Sequence, residues 1–496
     1  MLPAFSKTIH EICVESTLPV PPEVAFAWHE RPQTFGRLNA PWESVQLLKL
    51  PARLKEDETA VIKVALTGRF HRFLPLWKTW VARHHNYIAG VQFTDTQETG
   101  PFATWEHTHS LLPNPADASG ESSLLQDAMR FQLPLAPLSD WLGGLTVIRL
   151  KLRRMFRYRH EITQLDLERH TLAASHGFHH QRILIAGGSG MIGKALIAFL
   201  VSGGHTVVRL VRNKAELDCS SPQWVGTSAL YWHPQKNEMP PLEALEGFDA
   251  CIHLGGTNIA EKRWNPEVKN TLWASRVQST QLLSETLAQL THPPKVFITA
   301  SGLSALEDET DNAEASFLKQ LAEAWEQATE PASRAGIRCV QLRIGVVLGL
   351  QGGMLAKLIL PFLLGGGVQL GSGKQPLHWV SLEDVIGIIA HCLYTPSLSG
   401  GITVVAPEPC TNEKFTQAML EVLFRPDWGI HAPAWALRLL AGTEFTDAVL
   451  LSNALPVAHP TALLDSGFTF AFPTLAPALR FHLGVASPLE SLLAIV

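Results

Sequence analysis

The stretch ILIAGGSGMIGKALIAFL, residues 183–200, decides the fold of this chain. An apolar run of strand length leads into Gly187, Gly190 and Gly193, and apolar residues at helical spacing follow. In such a turn the first glycine permits a conformation that a side chain would hinder. The second lets the backbone approach a diphosphate, and the third lets the helix pack closely on the strand. The stretch therefore predicts a nucleotide-binding turn, with a merely structural turn as the alternative.

Strands and helices alternate after this turn. Apolar segments of strand length occur at residues 182–186, 206–210, 230–233, 250–254, 295–300 and 339–344. This alternation predicts βαβ units, and hence an α/β fold with a Rossmann-type, doubly wound parallel sheet over residues 182–440. From about residue 349 the pattern loosens into Gly- and Pro-rich loops, short helices and one strand, GITVVAP. We interpret this part as a smaller lobe over a substrate cleft and place the C-terminal lobe at residues 441–496.

The second strand, TVVRLVRN, indicates which dinucleotide binds. A site for NAD usually ends this strand with an acid that holds the ribose 2′-hydroxyl, about 20 residues past the loop. Arg212 stands there instead, with Arg209 and Lys214 nearby and no acid before Glu216. A guanidinium favours a 2′-phosphate, so the sequence predicts NADP as the cofactor. The alternative is a solvated basic edge.

The usual proton donor of the short-chain dehydrogenase/reductases is missing. Those enzymes place a tyrosine and a lysine four residues apart, and the lysine lowers the pKa of the phenol. None of the four tyrosines has such a lysine, and Leu318 and Ala322 stand in the expected places. Ser301, at the end of the strand KVFITAS, is the candidate catalytic residue; a hydroxyl that only closes a strand end is the alternative. Glu326 could exchange protons if buried, but we expect it on an exposed helix face.

Several long stretches resemble the epimerase-like, atypical branch of the extended short-chain dehydrogenase/reductases. They include AGGSGMIG, IHLGGTNIAEKRWNPEVKNTLWASRVQSTQLL, LRIGVVLGLQGGMLAKLILPFLLGGGVQLGSGKQPLHWVSLEDV, VVAPEPCTNEKF and LLDSGFTFAFPTL, over about residues 182–485. The resemblance implies a cleft for NADP that is partly lined by Arg212, Leu254, Gly255 and Arg276, with Arg276 facing phosphate. Together with the glycine turn, it gives the expected cofactor-binding residues: Gly187, Gly190, Met191, Ile192, Gly193, Arg212, Leu254, Gly255 and Arg276.

Residues 1–168 have a different texture. Alternating stretches such as ETAVIKVAL and ATWEHTHSLL predict antiparallel strands, and IRLKLRRMFRYRHEITQLDLERH predicts a long helix that follows them. A polar segment at residues 169–181 is interpreted as a linker. The stretches STLPVPPEVAFAWHERPQTFGRLNAPW, GVQFTDTQETGPFATWEHTHSL and LKLRRMFRYRH resemble START-like (SRPBCC) helix-grip domains. That resemblance implies an α+β module around an apolar cavity that binds a hydrophobic molecule.

Two side-chain pairs have simple interpretations. His107 and His109 project from one face of a predicted strand, so they could begin a metal site. No third ligand is evident and the spacing matches no zinc signature, so we interpret both as polar cavity or surface histidines and expect no metal. Ser381 and Asp384 have the spacing of a helix capping box, and we assign them that role.

The whole composition limits the partners. A net charge of -5 and 17% charged residues lack the basic excess that draws proteins to nucleic acid or anionic lipid. No segment has the ~20 apolar residues of a membrane span, and the N-terminus has no signal-peptide pattern. The six cysteines are scattered, as in a reducing compartment. We therefore expect a cytoplasmic protein without nucleic-acid or membrane partners; its oligomeric state is not indicated.

Two functions agree with these patterns. One is an NADP-dependent oxidoreductase or epimerase-like enzyme that acts on a small molecule, which the N-terminal module binds or delivers. The other is a non-catalytic NADP-binding sensor, which the absent Tyr/Lys pair favours. The retained glycine turn and substrate lobe favour the first.

Overall fold

A computed structural model describes residues 9–51, 56–66, 76–134, 143–306, 313–446, 450 and 456–488. The C-terminal part contains a parallel sheet of seven strands. From one edge to the other, the strands are Thr227–Tyr231, Thr206–Val211, Arg182–Ala186, Ala250–His253, Val296–Gly302, Arg338–Ile344 and Gly400–Val404. All their pairings are parallel. The chain order reverses beside Arg182–Ala186, so a ligand crevice opens at the carboxyl ends of the central strands. The predicted Rossmann-type sheet is confirmed.

Two predicted strands differ from the observed strands by two or more residues at one end or at both. The segment predicted at residues 230–233 forms the strand Thr227–Tyr231, because Pro234 opens a 3-10 turn and His233 forms a bridge with Glu238 across that turn. The segment predicted at residues 295–300 forms the strand Val296–Gly302. Ser301 therefore lies inside this strand, with Arg343 opposite in register.

Helices cover both faces of the parallel sheet. Alternate side chains of the first strand point to opposite faces: Ile183 and Ile185 pack with Leu196, whereas Leu184 and Ala186 belong to the core on the other face. The helices of this part are Met191–Ser202, Leu242–Leu245, Pro266–Trp273, Ser279–Leu287, Ala313–Gln327, Glu330–Arg334, Gly353–Leu363, Leu382–Tyr394, Asn412–Val422, Ala434–Ala441, Thr443–Phe445, Thr461–Asp465 and Leu475–Leu483. The described residues include no helix that is both long enough and apolar enough to cross a bilayer.

The smaller lobe begins before residue 441. Its buried core joins Ile359 and Phe415 to Leu479, so it draws on helices from both sides of the predicted boundary. Two short parallel strand pairs support it: Val346–Leu348 with Trp379–Ser381, and Gln369–Leu370 with His431–Ala432. Within the predicted lobe, residues 447–449, 451–455 and 489–496 lie outside the described residues, as do residues 1–8 of the N-terminal module.

The predicted capping box is only half present. Ser381 caps the helix Leu382–Tyr394, and its Oγ accepts a hydrogen bond from the Glu383 N–H at 3.3 Å. Asp384 does not complete the box: it accepts the backbone N–H groups of Ala471 (2.8 Å) and Phe472 (3.1 Å). Asp384 therefore fixes the later segment of the lobe against this helix instead of closing the helix end.

The N-terminal part forms a second sheet, of seven antiparallel strands. In spatial order these are His10–Leu18, Ser123–Gln132, Thr104–Pro113, Gln92–Thr99, Trp77–Ile88, Thr59–Ala65 and Val45–Lys49. Two short helices, Pro22–Glu30 and Thr34–Leu38, follow the first strand. The long helix Gly144–Ser175 packs on the sheet through Leu152 and Phe156, which share a core with Phe131.

The predicted linker at residues 169–181 is partly helical. The long helix continues to Ser175, because no breaker precedes Gly177, which has φ +77°. Beyond the N-terminal sheet, His170 stacks on Phe199 of the parallel-sheet part, with ring centroids 4.2 Å apart. Tyr158 of the same helix shares a core with Phe481. One helix thus packs against both halves of the chain.

A buried ion-pair network also joins the two halves. The Arg37 guanidinium donates to both oxygens of Asp166, on the long helix, at 2.6 and 2.8 Å. It also donates to Glu383, on the helix Leu382–Tyr394, at 2.7 Å. All three side chains are almost fully buried. These charges lie in a low-dielectric interface, where removing one of them leaves the others uncompensated.

Candidate functional site

The glycine turn requires its first and third glycines for backbone reasons. Gly187 has φ +83°, and a Cβ there would lie 2.5 Å from the backbone nitrogen of Gly255, on the loop after the neighbouring strand. A Cβ at Gly193 would collide with the carbonyl oxygen of Gly187. A Cβ at Gly190 would meet its nearest protein atom at 3.5 Å, an ordinary contact. The protein itself thus leaves room for a side chain at Gly190, and no contact within the protein requires a glycine there.

The helix Met191–Ser202 begins directly after the turn. Gly190 is its N-cap and no side chain caps it, so the first N–H groups and the positive end of the helix dipole are free for an anion. The Met191 side chain lies against Gly349 and Gly353, and Ile192 packs against the main core. Both side chains are partly buried against the protein.

A cleft of about 330 Å³ opens beside the turn. Of the predicted cofactor residues, it brings together Gly187, Arg212 and Gly255. Its other lining residues are Gly188, Ser189, Arg209, Leu210, Val211, Asn213, Glu216, Trp232, His233, Pro234, Gln235, His253, Gly256, Ser275 and Ser279. The remaining predicted residues lie outside this lining: Gly190, Met191, Ile192, Gly193, Leu254, Arg276 and Ser301.

The three basic residues in and directly after the strand Thr206–Val211 have different roles. Arg209 is buried: its guanidinium lies 4.0 Å over the Trp224 ring, and its Nε donates to Thr227 Oγ1 at 3.1 Å. The Lys214 ammonium lies 5.0 Å from the ring centre of Tyr231. Arg212 is exposed at the cleft, and no ion pair or hydrogen bond holds its side chain among the described residues. Arg212 is therefore the cation available to a ligand phosphate.

His253 is a cleft residue that sequence reasoning missed. The Gly255 N–H donates to its Nδ1 at 3.3 Å, so Nε2 carries the proton and donates to Ser279 Oγ at 2.9 Å. Burial, and then the charge of Arg212, lower the pKa of His253 to about 4. The ring is thus neutral near pH 7 and holds the loop before Gly255 in place. Its position directly before LGG was the available signal.

Arg276 occupies a π-helical turn, Ala274–Gln278, next to the cleft. Its Nη2 donates to the carbonyl oxygen of Thr257 at 2.9 Å, and its guanidinium lies 5.2 Å over the Trp325 ring. Burial lowers its pKa to about 10. In the same turn, Ser275 Oγ accepts the Thr257 N–H at 3.1 Å. Arg276 is therefore engaged with protein carbonyls, and its predicted contact with phosphate stays a prediction.

Ser301 belongs to a buried polar chain. Its hydroxyl donates to Glu326 Oε1 at 2.8 Å, and Arg343 binds both Glu326 oxygens at 2.7 Å. Glu326 is 17% exposed, so the expectation of an exposed helix face is wrong: the strand register turns Arg343 toward it. A Cβ at Gly401 would collide with the Arg343 guanidinium, so the glycine makes room for this pair.

The places of the missing tyrosine and lysine lie beside this chain. Ala322 is buried, and the Leu318 carbonyl accepts a hydrogen bond from Ser304 Oγ at 3.0 Å. Neither side chain can exchange a proton. The Ser301–Glu326–Arg343 chain is the group of hydrogen-bonded polar side chains that lies beside these two positions.

A second cavity, of about 560 Å³, lies between the N-terminal sheet and the long helix. Its lining is mostly apolar, but Asp95, His107 and His109 also face it. The ligand atoms of these three residues all lie within 4.8 Å of one another. The prediction that the two histidines lack a third ligand is therefore wrong, because the register places Asp95 directly opposite His107.

Comparison with known proteins agrees with this architecture. Residues 183–406 match the model of the NAD dependent epimerase/dehydratase family, and residues 432–481 match a domain of unknown function, DUF1731. The epimerase family protein Mb2239 of Mycobacterium bovis is 37% identical over 304 residues, which are 60% of this chain and 96% of that protein. Human epimerase family protein SDR39U1 is 30% identical over 309 residues and 98% of its length.

Two solved structures extend the similarity. The nucleoside-diphosphate sugar epimerase from Corynebacterium glutamicum is 25% identical with a TM-score of 0.71, covering 98% of this chain and 96% of that one. Human SDR39U1 (isoform 2), crystallised with NADPH, is 30% identical with a TM-score of 0.52, covering 60% of this chain and 98% of its own. The first similarity includes the N-terminal sheet, whereas the second is confined to the shorter span. By its sequence and its parallel sheet, the chain belongs to the NAD dependent epimerase/dehydratase family.

Proposed function

We propose that this chain binds NADP(H) at the glycine turn and is an oxidoreductase or epimerase-like enzyme for a small molecule. The observation that carries the cofactor is Arg212, an exposed cation at the end of the second strand that faces the cleft. Nothing acidic takes its place, and a guanidinium there favours a ribose 2′-phosphate. The NADPH in the structure of human SDR39U1 supports the same assignment.

The proposed proton path runs through Ser301. The Ser301 hydroxyl donates to Glu326, and Arg343 fixes this carboxylate in place through both of its oxygens. When an alcohol is oxidised, bound NADP⁺ supplies the hydride acceptor. Ser301 Oγ would take the alcohol proton and pass its own to Glu326, so the Ser/Glu/Arg chain replaces the absent Tyr/Lys pair.

The N-terminal half supports a ligand-delivery role. An antiparallel sheet and a long helix enclose its cavity, which is the arrangement of START-like helix-grip modules. We infer that it holds a hydrophobic molecule that carries a polar group. The cavity volume is in the range of small-molecule sites.

A non-catalytic sensor remains the second candidate because of one contact between the halves. Gln33 Nε2 donates to the carbonyl oxygens of Gln223 (3.0 Å) and Val225 (2.9 Å), and Val225 also lines the N-terminal cavity. The same segment reaches the cleft, since Arg209 donates to the Glu216 carbonyl at 3.2 Å. In a sensor, cofactor binding in the cleft would alter the N-terminal cavity through this segment without a catalysed reaction.

Binding and turnover assays separate these functions. The purified full chain is titrated with NADPH and NADH, then assayed for NADPH oxidation with aldehydes, ketones and nucleoside-diphosphate keto-sugars. An enzyme shows turnover that falls at least about 100-fold in Ser301→Ala and in Glu326→Gln, as expected for a lost proton-transfer group. The matched control Ser304→Ala, whose hydroxyl binds only a backbone carbonyl, keeps its activity.

Other results select against the proposal. Tight NADPH binding without turnover on the whole panel supports the sensor. Absence of binding by either dinucleotide contradicts both functions.

A further inference from the structure

Three strands of the N-terminal sheet bring four chemically reactive side chains together. Asp95 pairs in register with His107, and His109 pairs with Asp127 on the next strand. His107 and His109 are two residues apart, so they project from the same face. The set lies at the base of the cavity, under the long helix.

Each imidazole lies between two carboxylates. His107 Nδ1 is 3.1 Å from Asp95 Oδ1, and its Nε2 is 2.9 Å from Asp127 Oδ1. His109 Nε2 is 3.7 Å from Asp95 Oδ1, and its Nδ1 is 2.6 Å from Asp127 Oδ1. Both rings therefore direct one nitrogen to Asp127 and the other toward Asp95.

Asp127 acts as the orienting carboxylate. It is buried, and its second oxygen is 2.8 Å from His160 Nε2, whose Nδ1 is held by Ser16 at 2.8 Å. When His107 Nε2 donates its N–H to Asp127 Oδ1, the His107 Nδ1 lone pair faces Asp95. His109 Nδ1 lies close to the same oxygen without the geometry of a hydrogen bond, and its Nε2 faces Asp95. Two lone pairs and a carboxylate oxygen then converge, and this arrangement is compensated either by a proton on an imidazole or by a bound cation that takes the place of that proton.

We propose that Asp95, His107 and His109 bind a divalent transition-metal ion of the zinc type. Two nitrogen donors and one carboxylate suit such an ion, and metal-bound histidines commonly donate their other N–H to a carboxylate. Two ligand atoms at about 2.0–2.1 Å from a tetrahedral ion are roughly 3.3 Å apart. The separations of 3.1 and 3.7 Å to Asp95 lie on either side of that value.

The free side of this ion faces the cavity. Asp95, His107 and His109 line the cavity, whereas the supporting Asp127 and His160 do not. The His109 ring is fixed by stacking on Phe93, with centroids 4.3 Å apart. Three protein ligands leave a coordination position open, as in zinc sites that bind water or substrate. The ligand class that this site selects is an apolar molecule with an oxygen donor that completes the coordination.

Metal titration of the full chain tests this assignment. Protein without an affinity tag is stripped with a chelator and titrated with ZnCl₂, and separately with CoCl₂ to record the visible absorption of the bound ion. We expect one equivalent to bind. Asp95→Asn and His109→Gln should each weaken zinc binding at least about 100-fold, and Asp127→Asn about 10- to 100-fold. His85→Gln is the matched control, because that ring instead contacts Thr96 on the other face of its strand and should bind as wild type.

Each contrary result overturns the assignment. It fails if stripped wild type binds no stoichiometric ion, or if Asp95→Asn and His109→Gln bind as tightly as His85→Gln. It also fails if binding disappears in His179→Gln/His180→Gln, which would place the ion on the exposed histidines after the long helix. NADPH affinity reports whether each variant is folded. If a variant does not fold, the cobalt spectrum of the wild type must still show nitrogen and oxygen ligands in a site of low symmetry, or the assignment is wrong.

Discussion

The functional residues of the two cavities are distributed along the sequence in different ways. The dinucleotide cleft depends on a turn whose glycines lie within a few consecutive residues, between one strand and one helix. The polar cluster of the N-terminal cavity takes Asp95, His107, His109 and Asp127 from three strands, and only their register joins them. A local site is visible as a sequence pattern, whereas a site made by register becomes visible only when the pairing is known.

The largest effect on stability is expected from a substitution in the polar cluster of the N-terminal cavity. Asp127→Ala removes the carboxylate that the buried imidazoles of His107 and His160 share with the partly buried His109, and leaves them uncompensated. Breaking a buried network of this kind costs about 3–5 kcal/mol in the free energy of unfolding. Urea denaturation of chelator-treated protein measures it. Glu106→Ala is the control, because its partner Arg130 is 56% exposed and such a pair contributes under about 1 kcal/mol. Equal midpoints for the two variants would contradict the structure.

Substitutions at two glycines of the turn should have different effects, one on folding and the other on cofactor binding. Gly187→Ala should lower the free energy of unfolding by about 2–4 kcal/mol, because it combines a positive φ with a backbone clash against Gly255. Gly190→Ala should leave the unfolding midpoint nearly unchanged and still weaken NADPH binding at least tenfold. Urea denaturation and fluorescence titration give the two quantities. A Gly190→Ala protein that binds NADPH as wild type does would show that the diphosphate lies elsewhere.

Lowering the pH should reduce the free energy of unfolding, because His253 is buried in its neutral form. Its folded-state pKa of about 4 lies below the ordinary value of 6.5, so between these values the unfolded chain binds more protons. The stability contribution is present above about pH 6.5 and is lost as the pH falls toward 4, by at most about 1.4 kcal/mol per pH unit. His253→Gln should reduce the slope of unfolding free energy against pH in this window. Identical slopes for the two proteins would mean that the ring is not buried in its neutral form.

The smallest expected change concerns coenzyme choice. Arg212→Ala should weaken NADPH binding about 10- to 100-fold, since hydrogen bonds to charged groups contribute about 1.5–3 kcal/mol. NADH binding should change little. Lys214→Ala is the control, with less than a fivefold effect, because that ammonium already lies over the Tyr231 ring. Titration of each variant with both coenzymes checks the prediction, and a parallel loss of NADPH and NADH affinity would contradict it.

Much of the fold could be predicted because its signals are local. The parallel sheet followed from the strand-and-helix alternation, and Gly187 and Arg212 followed from their distance along the chain. Ser275 and Ser279 could not be predicted as cleft residues, because a π-helical turn brings this segment to the cleft, whereas His253 had a signal in its position directly before LGG. The true end of the long helix was readable in principle, since residues 169–175 contain no glycine or proline.

Long-range partners account for the other differences. Glu326 was expected in solvent because its own helix gives no sign of Arg343, which comes from a strand opposite Ser301. Asp384 was expected to close its own helix, yet it binds N–H groups of residues 471 and 472. In both cases the carboxylate finds a stronger or better-placed donor in the folded chain than its own helix provides.

The shared helix Gly144–Ser175 has a consequence for how separable the two halves are. A protein cut to begin at residue 182 would uncover the faces of Phe199 and Phe481 that His170 and Tyr158 now cover. Newly wetted apolar surface costs roughly 25 cal/mol per Å² and invites aggregation. We therefore expect a protein that begins at residue 182 to be less stable and less soluble than the full chain.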